Sequence, residues 1–278
     1  MQQGYIAGAH GGSIRPMAAD TSPLITAQGL TKVYGESRVV SDVSLTIARG
    51  EILGLVGESG SGKSTVARML LRLIEPTAGT VHFDGIDVLH APKAQMRALR
   101  RRMGVVFQDP FAALDPRMRV RDILAEPFLI HDEPLKGEAM QAKLIAMLHE
   151  VGLDATALNR FPHAFSGGQR QRINIARALA LQPEFLVLDE PVSALDVSVG
   201  AQVINLLRDL QRTRGLTCLF ISHSMPLVRY LCDRVAVMQR GLLVEVGEAI
   251  AICEHPQQDY TRALIAATPD FSASTLVK

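Results

Sequence analysis

The 278-residue sequence contains no tryptophan and only four tyrosines and nine phenylalanines. Any core must therefore be aliphatic, and 47% hydrophobic residues is enough for a sizeable one. Cysteine is scarce as well: Cys218, Cys232 and Cys253 are scattered and lack C-x-x-C spacing, which suggests neither a disulfide framework nor a metal site and fits a reducing cytosol. No apolar run reaches the roughly 18 to 20 residues a bilayer-spanning helix needs. The N-terminal residues lack the basic-then-apolar order of a signal peptide. The chain is therefore expected to start soluble and to reach a membrane only through a partner. Excess charge is missing too: a formal net charge of +1 gives no ground for a nucleic-acid partner. Arginines cluster at Arg97, Arg100, Arg101 and Arg102 and at Arg170, Arg172 and Arg177, where solvated helix faces are the expectation. Residues 1–23, rich in Gly, Ala and Ser, read as a flexible tail, within which Met17 offers a second start.

Against these absences stands one dense stretch, Gly57-Glu58-Ser59-Gly60-Ser61-Gly62-Lys63-Ser64 followed by Thr65. The apolar run Glu51 to Val56 before it reads as a buried strand, and Val66 to Leu71 after it as a helix. Strand, glycine-rich loop and helix in that order are the context of a phosphate-binding P-loop. Gly57, Gly60 and Gly62 let the backbone curl around an anion, and N–H groups at the helix start point at it. Lys63 can reach the β- and γ-phosphates, the Ser64 hydroxyl can ligate Mg²⁺, and Thr65 adds an α-phosphate contact. A glycine turn that merely joins strand to helix would not require Lys and Ser side by side.

Upstream, Leu24 to Ala27 begins ordered structure, Leu30 to Gly35 reads as a strand ending in a turn, and Val39 to Ile47 as a second strand before a turn at Arg49-Gly50. Tyr34 sits where a purine could stack on it, although ordinary strand packing is the commoner role. Downstream, Thr80 to Phe83 reads as a short strand, Pro92 to Arg102 as a basic helix, and Met103 to Phe107 as a buried strand delivering Gln108. A polar residue at a strand end in an α/β sheet sits where ligands bind, so the Gln108 amide is a candidate to coordinate Mg²⁺ or the attacking water. From Asp109 prolines break the chain and helical periodicity follows, notably Glu138 to Val151 with Met140, Leu144, Met147 and Leu148 on one face.

A second constellation closes this helical stretch. Phe165-Ser166-Gly167-Gly168-Gln169 leads into a helix for which Ser166 is a natural N-cap, and the two glycines expose N–H groups at the positive end of its dipole. Such caps are usually structural; its company makes it a second anion-binding device. Phe185 to Leu188 reads as a buried strand from which Asp189 and Glu190 emerge. Asp189 can hold Mg²⁺ as a Walker B aspartate does, and Glu190 is suited to polarise water as general base. Ser193 to Asp196 forms a short loop before a long helix, and the strand Cys218 to Ser222 delivers His223, placed to hydrogen-bond a γ-phosphate.

Together these residues resemble the ATP-binding cassette (ABC) family over nearly the whole chain after the tail. Tyr34 matches its adenine-stacking aromatic loop, Gly57 to Ser64 its Walker A motif and Gln108 its glutamine loop. Phe165 to Gln169 matches the signature motif with Phe for the usual Leu, Asp189 and Glu190 match Walker B and the catalytic glutamate, and Ser193 to Asp196 matches the D-loop. His223 matches the switch histidine; Ser224 follows it where near relatives usually have Asp. The resemblance implies an α/β fold: a P-loop NTPase core with an N-terminal antiparallel β subdomain and an inserted α-helical subdomain. It implies an ATPase domain over residues 24–253, with the insert at about 111–181, and a C-terminal extension over 254–278. It also implies a head-to-tail dimer in which ATP and Mg²⁺ lie between one P-loop and the partner's signature loop, so that Ser166 and Gly168 act in trans, with Gly167, Gln169 and Asp196 further nucleotide-binding candidates.

Within the family, Gln108-Asp109-Pro110 through Leu114-Asp115-Pro116-Arg117 resembles the Q-D-P and S-L-N-P-R segment of oligopeptide, dipeptide and nickel importers. His255-Pro256 and Tyr260-Thr261-Arg262-Ala263-Leu264 resemble that branch's H-P-Y-T-R-A-L tail with extra residues inserted. A cysteine-rich iron–sulfur segment found in some relatives does not follow, so no cluster is expected. The implied role is the ATPase of a binding-protein-dependent importer of peptides or a related solute such as nickel. It would work beneath two permease subunits, with a second ABC ATPase, at the cytoplasmic face of the inner membrane. The alternative from another class is a soluble cassette acting as an assembly factor in a metabolic complex.

Overall fold

The structure, a computed structural model, describes residues 23–109, 111–133 and 135–267. The expected N-terminal tail with Met17, apart from Pro23, lies outside the described residues, as does the end of the C-terminal extension beyond residue 267. The chain begins with two long paired strands, β1 (Pro23–Tyr34) and β2 (Ser37–Ala48). In β2, buried Val43, Leu45 and Ile47 alternate with exposed Ser44 and Thr46, the period-two pattern of a sheet with one face on a core. Next come β3 (Ile52–Val56), buried throughout, and helix α1 (Lys63–Leu70). Strands β4 (Ala78–Phe83) and β5 (Ile86–Asp87) follow, then helix α2 (Lys93–Arg101) and β6 (Met103–Val106).

Three helices come next: α3 (Val120–Ile130), α4 (Gly137–Glu150) and α5 (Gly167–Ala178), with short 3-10 turns at Ala155–Asn159 and Pro162–Ala164. The anticipated apolar face of α4 is present, with Leu144, Met147 and Leu148 buried and Met140 packed against them. Then β7 (Phe185–Asp189) leads to α6 (Val197–Arg214), which stops at Gly215 in the left-handed conformation. The chain continues through β8 (Thr217–Ser222), α7 (Met225–Leu231), the strands β9 (Arg234–Gln239) and β10 (Leu242–Glu248), and helices α8 (Ala249–Glu254) and α9 (Asp259–Ala267).

These strands form two sheets. One is antiparallel, in the order β2-β1-β4-β5; the other has the order β10-β9-β3-β8-β7-β6 and is parallel except for β10. Strands β3, β7 and β8 are buried at every position because both faces of the parallel sheet are covered. One face shares a core with α1 and the antiparallel sheet, where Leu53 and Leu55 meet Met69, Leu70, Ile25 and Ile47. The other packs against α3 to α7, where Leu186, Leu188 and Phe220 meet Ile173, Ile204 and Val228. Although 78 residues lie between Val106 and Phe185, β6 and β7 are parallel neighbours, with Val106 opposite Leu188. Because β3, β6, β7 and β8 run parallel, the residues that follow them emerge along one edge of the sheet.

The arginine clusters differ from expectation in part. Arg97 pairs with Asp132, Arg101 with Glu133, and Arg102 with both Glu184 and Asp84. Arg172 donates to the Val151 carbonyl and Arg177 to that of Ala113. Arg97 and Arg100 remain on an exposed face of α2 as expected, whereas Arg101, Arg102, Arg172 and Arg177 are partly buried cross-ties, because folding brings acids and open carbonyls up to 82 residues away within reach.

Candidate functional site at the strand ends

The P-loop takes a left-handed course at its glycines, with φ of +149° at Gly57, +79° at Gly60 and +106° at Gly62. Space is decisive at the first and last of these. A Cβ on Gly57 would lie 2.1 Å from the Met238 carbonyl oxygen of β9, and one on Gly62 would lie 2.8 Å from the Val39 carbonyl oxygen. Lys63, the first residue of α1, is buried, and its ammonium donates to the carbonyls of Gly57 (2.8 Å) and Glu58 (2.7 Å) and to Ser61 Oγ (3.4 Å). Burial pulls its pKa below the ordinary lysine value, opposed by Glu190, Asp189 and Glu58.

The next residue, Ser64, reaches β7: its hydroxyl donates to Asp189 Oδ1 at 3.0 Å. Asp189 is buried, and desolvation pushes its carboxyl above the usual aspartate range against the pull of the Ser64 hydrogen bond. Glu190 has a left-handed backbone, φ +46°, unusual for a non-glycine residue and worth about 1–2 kcal/mol of strain. Its amide is held by the Ile221 carbonyl at 3.0 Å. Its carboxylate accepts from Gln108 Nε2 at 3.1 Å and lies 3.6 Å from His223 Nδ1. Three residues delivered by three different strands thus meet at one carboxylate.

Ser59, Gly60, Gly62, Lys63, Ser64 and Thr65 line a cleft of about 430 Å³ with Gln108, Glu190 and His223. Gly57 stands behind it, and Asp189 joins it through Ser64. The remaining candidates do not line this cleft. Tyr34 is half exposed at the end of β1, with the Lys32 ammonium 4.8 Å from its ring centroid. Ser166 caps α5 in a full capping box: its hydroxyl accepts from the Gln169 amide at 3.4 Å, and the Gln169 side chain accepts from the Ser166 amide at 3.1 Å. Gly168 is buried, and a Cβ there would lie 2.2 Å from Val199 Cγ1 of α6. Asp196 is exposed at the N-cap of α6, while its neighbour Leu195 packs beside Gly167.

Several contributors were not legible in sequence. Val39 lines the cleft from β2, Ser61 helps hold Lys63, and Tyr260 of α9 accepts the Glu58 amide at 3.1 Å. Gln171, fully buried in α5, donates to the carbonyl of Pro191 beside Glu190 at 2.6 Å. For Tyr260, 202 residues separate donor from acceptor, so no local pattern could expose the contact.

The arrangement provides a glycine-walled anion cradle with a buried ammonium, a hydroxyl–carboxylate pair of hard oxygen donors, and a carboxylate oriented by an amide and near an imidazole. That is equipment for holding a nucleoside triphosphate and directing water at it. A family model described as "ABC transporter" matches residues 40–193. A putative peptide import ATP-binding protein of Brucella ovis is 52% identical over 252 residues, covering 89% of this chain and 79% of that protein. The oligopeptide transport ATP-binding protein OppF of Bacillus subtilis is 51% identical over 238 residues, covering 84% and 77%. Among solved structures, the ATP-binding cassette MJ0796, a dimer in a post-hydrolysis state bound to ADP and Pi, superposes with a TM-score of 0.73. It is 29% identical, covering 81% of this chain and 98% of that one.

Proposed function

The chain belongs to the ABC transporter family, an ATPase by its cassette, and from that premise we propose that it powers a binding-protein-dependent importer of peptides. It does so with Mg²⁺, at the cytoplasmic face of the cell membrane. No helix among the described residues is long and apolar enough to cross a bilayer, so two permease subunits would supply the pathway and a second ABC ATPase the dimer partner. Residues 24–253 are read as the ATPase domain, about 111–181 as its helical subdomain, and 254–278 as the extension. Peptide rather than another solute is favoured by the names of the relatives above.

Ser64 and Asp189 suit Mg²⁺: both offer hard oxygen atoms, 3.0 Å apart, to a cation that takes most of its other ligands from water and phosphate. Held by these residues, Mg²⁺ would supply positive charge that offsets the charge of the phosphates. Lys63, its ammonium desolvated by burial, gains from an anion in the cradle and holds the phosphates. Glu190 takes the proton of the attacking water. Gln108 and His223 orient the Glu190 carboxylate and that water, and His223 donates to the γ-phosphate. Ser166, Gly167, Gly168 and Gln169 would face the nucleotide held by the partner subunit, with Asp196 nearby at the dimer interface and Tyr34 stacking on adenine.

The observation that carries this reading is the meeting of Gln108, Glu190 and His223 around one carboxylate beside the Ser64–Asp189 pair. Its test is the tagged Glu190→Gln variant, expected to bind ATP while turnover falls about 10²- to 10⁴-fold. From solubilised membranes it should co-purify with two multi-spanning proteins and a second cassette ATPase. Soluble partners alone would overturn the transport reading.

A further inference from the structure

The C-terminal helix reaches the phosphate loop. Helix α9 is seated by buried Leu264 and Thr261, and Tyr260, one turn before Leu264, packs against the same core. The segment leading into α9 is fixed to β10, where the Glu245 carboxylate accepts from the amides of Gln257 (2.8 Å) and Gln258 (3.2 Å). So anchored, the Tyr260 hydroxyl accepts the backbone N–H of Glu58 at 3.1 Å. The peptide unit that donates this bond is the one whose carbonyl, on Gly57, accepts the Lys63 ammonium at 2.8 Å. One peptide plane is therefore held at both ends, by Tyr260 outside the loop and by Lys63 within it. On its remaining side, β9 leaves Gly57 no room: the Met238 carbonyl stands 2.1 Å from where a Cβ would be.

We propose that Tyr260 is a positioning residue for nucleotide binding: its hydroxyl fixes the Gly57–Glu58 peptide and, through it, the phosphate loop and Lys63. This rests on the ATPase reading above and assigns to the C-terminal extension a part in the nucleotide site. A loop fixed in its binding conformation binds more tightly, because apparent affinity falls with the fraction of molecules in that conformation. Removing the hydroxyl takes away one of the two anchors of the loop's first peptide and leaves only the Lys63 ammonium on its carbonyl. Because the Glu58 amide is exposed and water can replace the lost partner, the fold survives while the loop loosens.

The test compares the full-length chain with its Tyr260→Phe variant. Titration with a fluorescent ATP analogue should show Kd raised about threefold to tenfold in Tyr260→Phe, the range one net hydrogen bond spans, with the melting temperature nearly unchanged. Amide hydrogen exchange supplies the readout that packing alone would not move. In the wild type the Glu58 amide should exchange more slowly than an unbonded amide, and in Tyr260→Phe that protection should vanish. Unchanged affinity, a weaker affinity with unchanged Glu58 exchange, or an unprotected Glu58 amide in the wild type each overturns the proposal while leaving the ATPase reading standing. A wild-type chain that binds no nucleotide overturns both.

Discussion

At the scale of single residues, the site holds groups at odds with stability. Asp189 is ionised only against desolvation, its carboxyl lying above the ordinary aspartate value in the fold. The folded state thus takes up a proton more readily than the unfolded one, and the ionised form weakens the fold at neutral pH. Asp189→Asn keeps an acceptor for Ser64 and removes the charge. We expect its melting temperature to equal or exceed the wild type by a few degrees while ATP turnover is lost. A drop of several degrees in a thermal melt would show instead that the carboxylate's bond to Ser64 outweighs its desolvation. Glu190 carries a comparable burden in its backbone, with its left-handed φ of +46° holding the carboxylate where Gln108 and His223 meet it.

At the scale of elements, the P-loop separates two reasons for glycine. Gly60 has a positive φ but open space where a side chain would go, whereas Gly57 has a positive φ and the β9 backbone in the way. A backbone carbonyl in a paired strand cannot swing aside. Gly60→Ala should therefore cost about 1 kcal/mol or slightly more, from conformation alone, and Gly57→Ala distinctly more, about 3 kcal/mol or above. Urea unfolding of the two variants checks the order, and equal costs would mean that β9 yields. The motif was plain in the sequence as three glycines; that they differ in kind was not, because Met238 is 181 residues from Gly57.

Across the whole molecule, the two sheets are tied where β4, α2 and β7 meet. Arg102 donates to Glu184 (2.5 and 2.9 Å) and to Asp84 (2.6 Å), and Arg49 pairs with the same two acids. Hydrogen bonding to Arg102 holds both carboxyls below their ordinary values of 4.5 and 3.8. The unfolded chain then binds protons more readily than the fold. The contribution is complete above the ordinary values and is lost as pH falls through the lower folded values. The melting temperature should fall as pH drops below about 4.5, and Glu184→Gln should blunt that fall. The groups are about a third exposed or more, so the effect is on the order of 1 kcal/mol or less. A pH profile identical in wild type and Glu184→Gln would remove this cluster as the cause.

The sequence by itself determined the elements and the chemistry. Alternation marked β2, unbroken apolar runs marked β3, β7 and β8, and the glycine loop, the Asp189-Glu190 pair and the Ser166 cap are each encoded within a few neighbouring positions. Only the tertiary structure decided which groups meet. Gln108, Glu190 and His223 follow three separate strands, β6, β7 and β8, and the parallel order β8-β7-β6 brings their ends together. The arginines found acids far along the chain, and Tyr260 found the phosphate loop across 202 residues. The physical reason is range: dihedral preference and hydrophobic period act over a turn or a strand, whereas hydrogen bonds and ion pairs act between atoms that only packing makes neighbours.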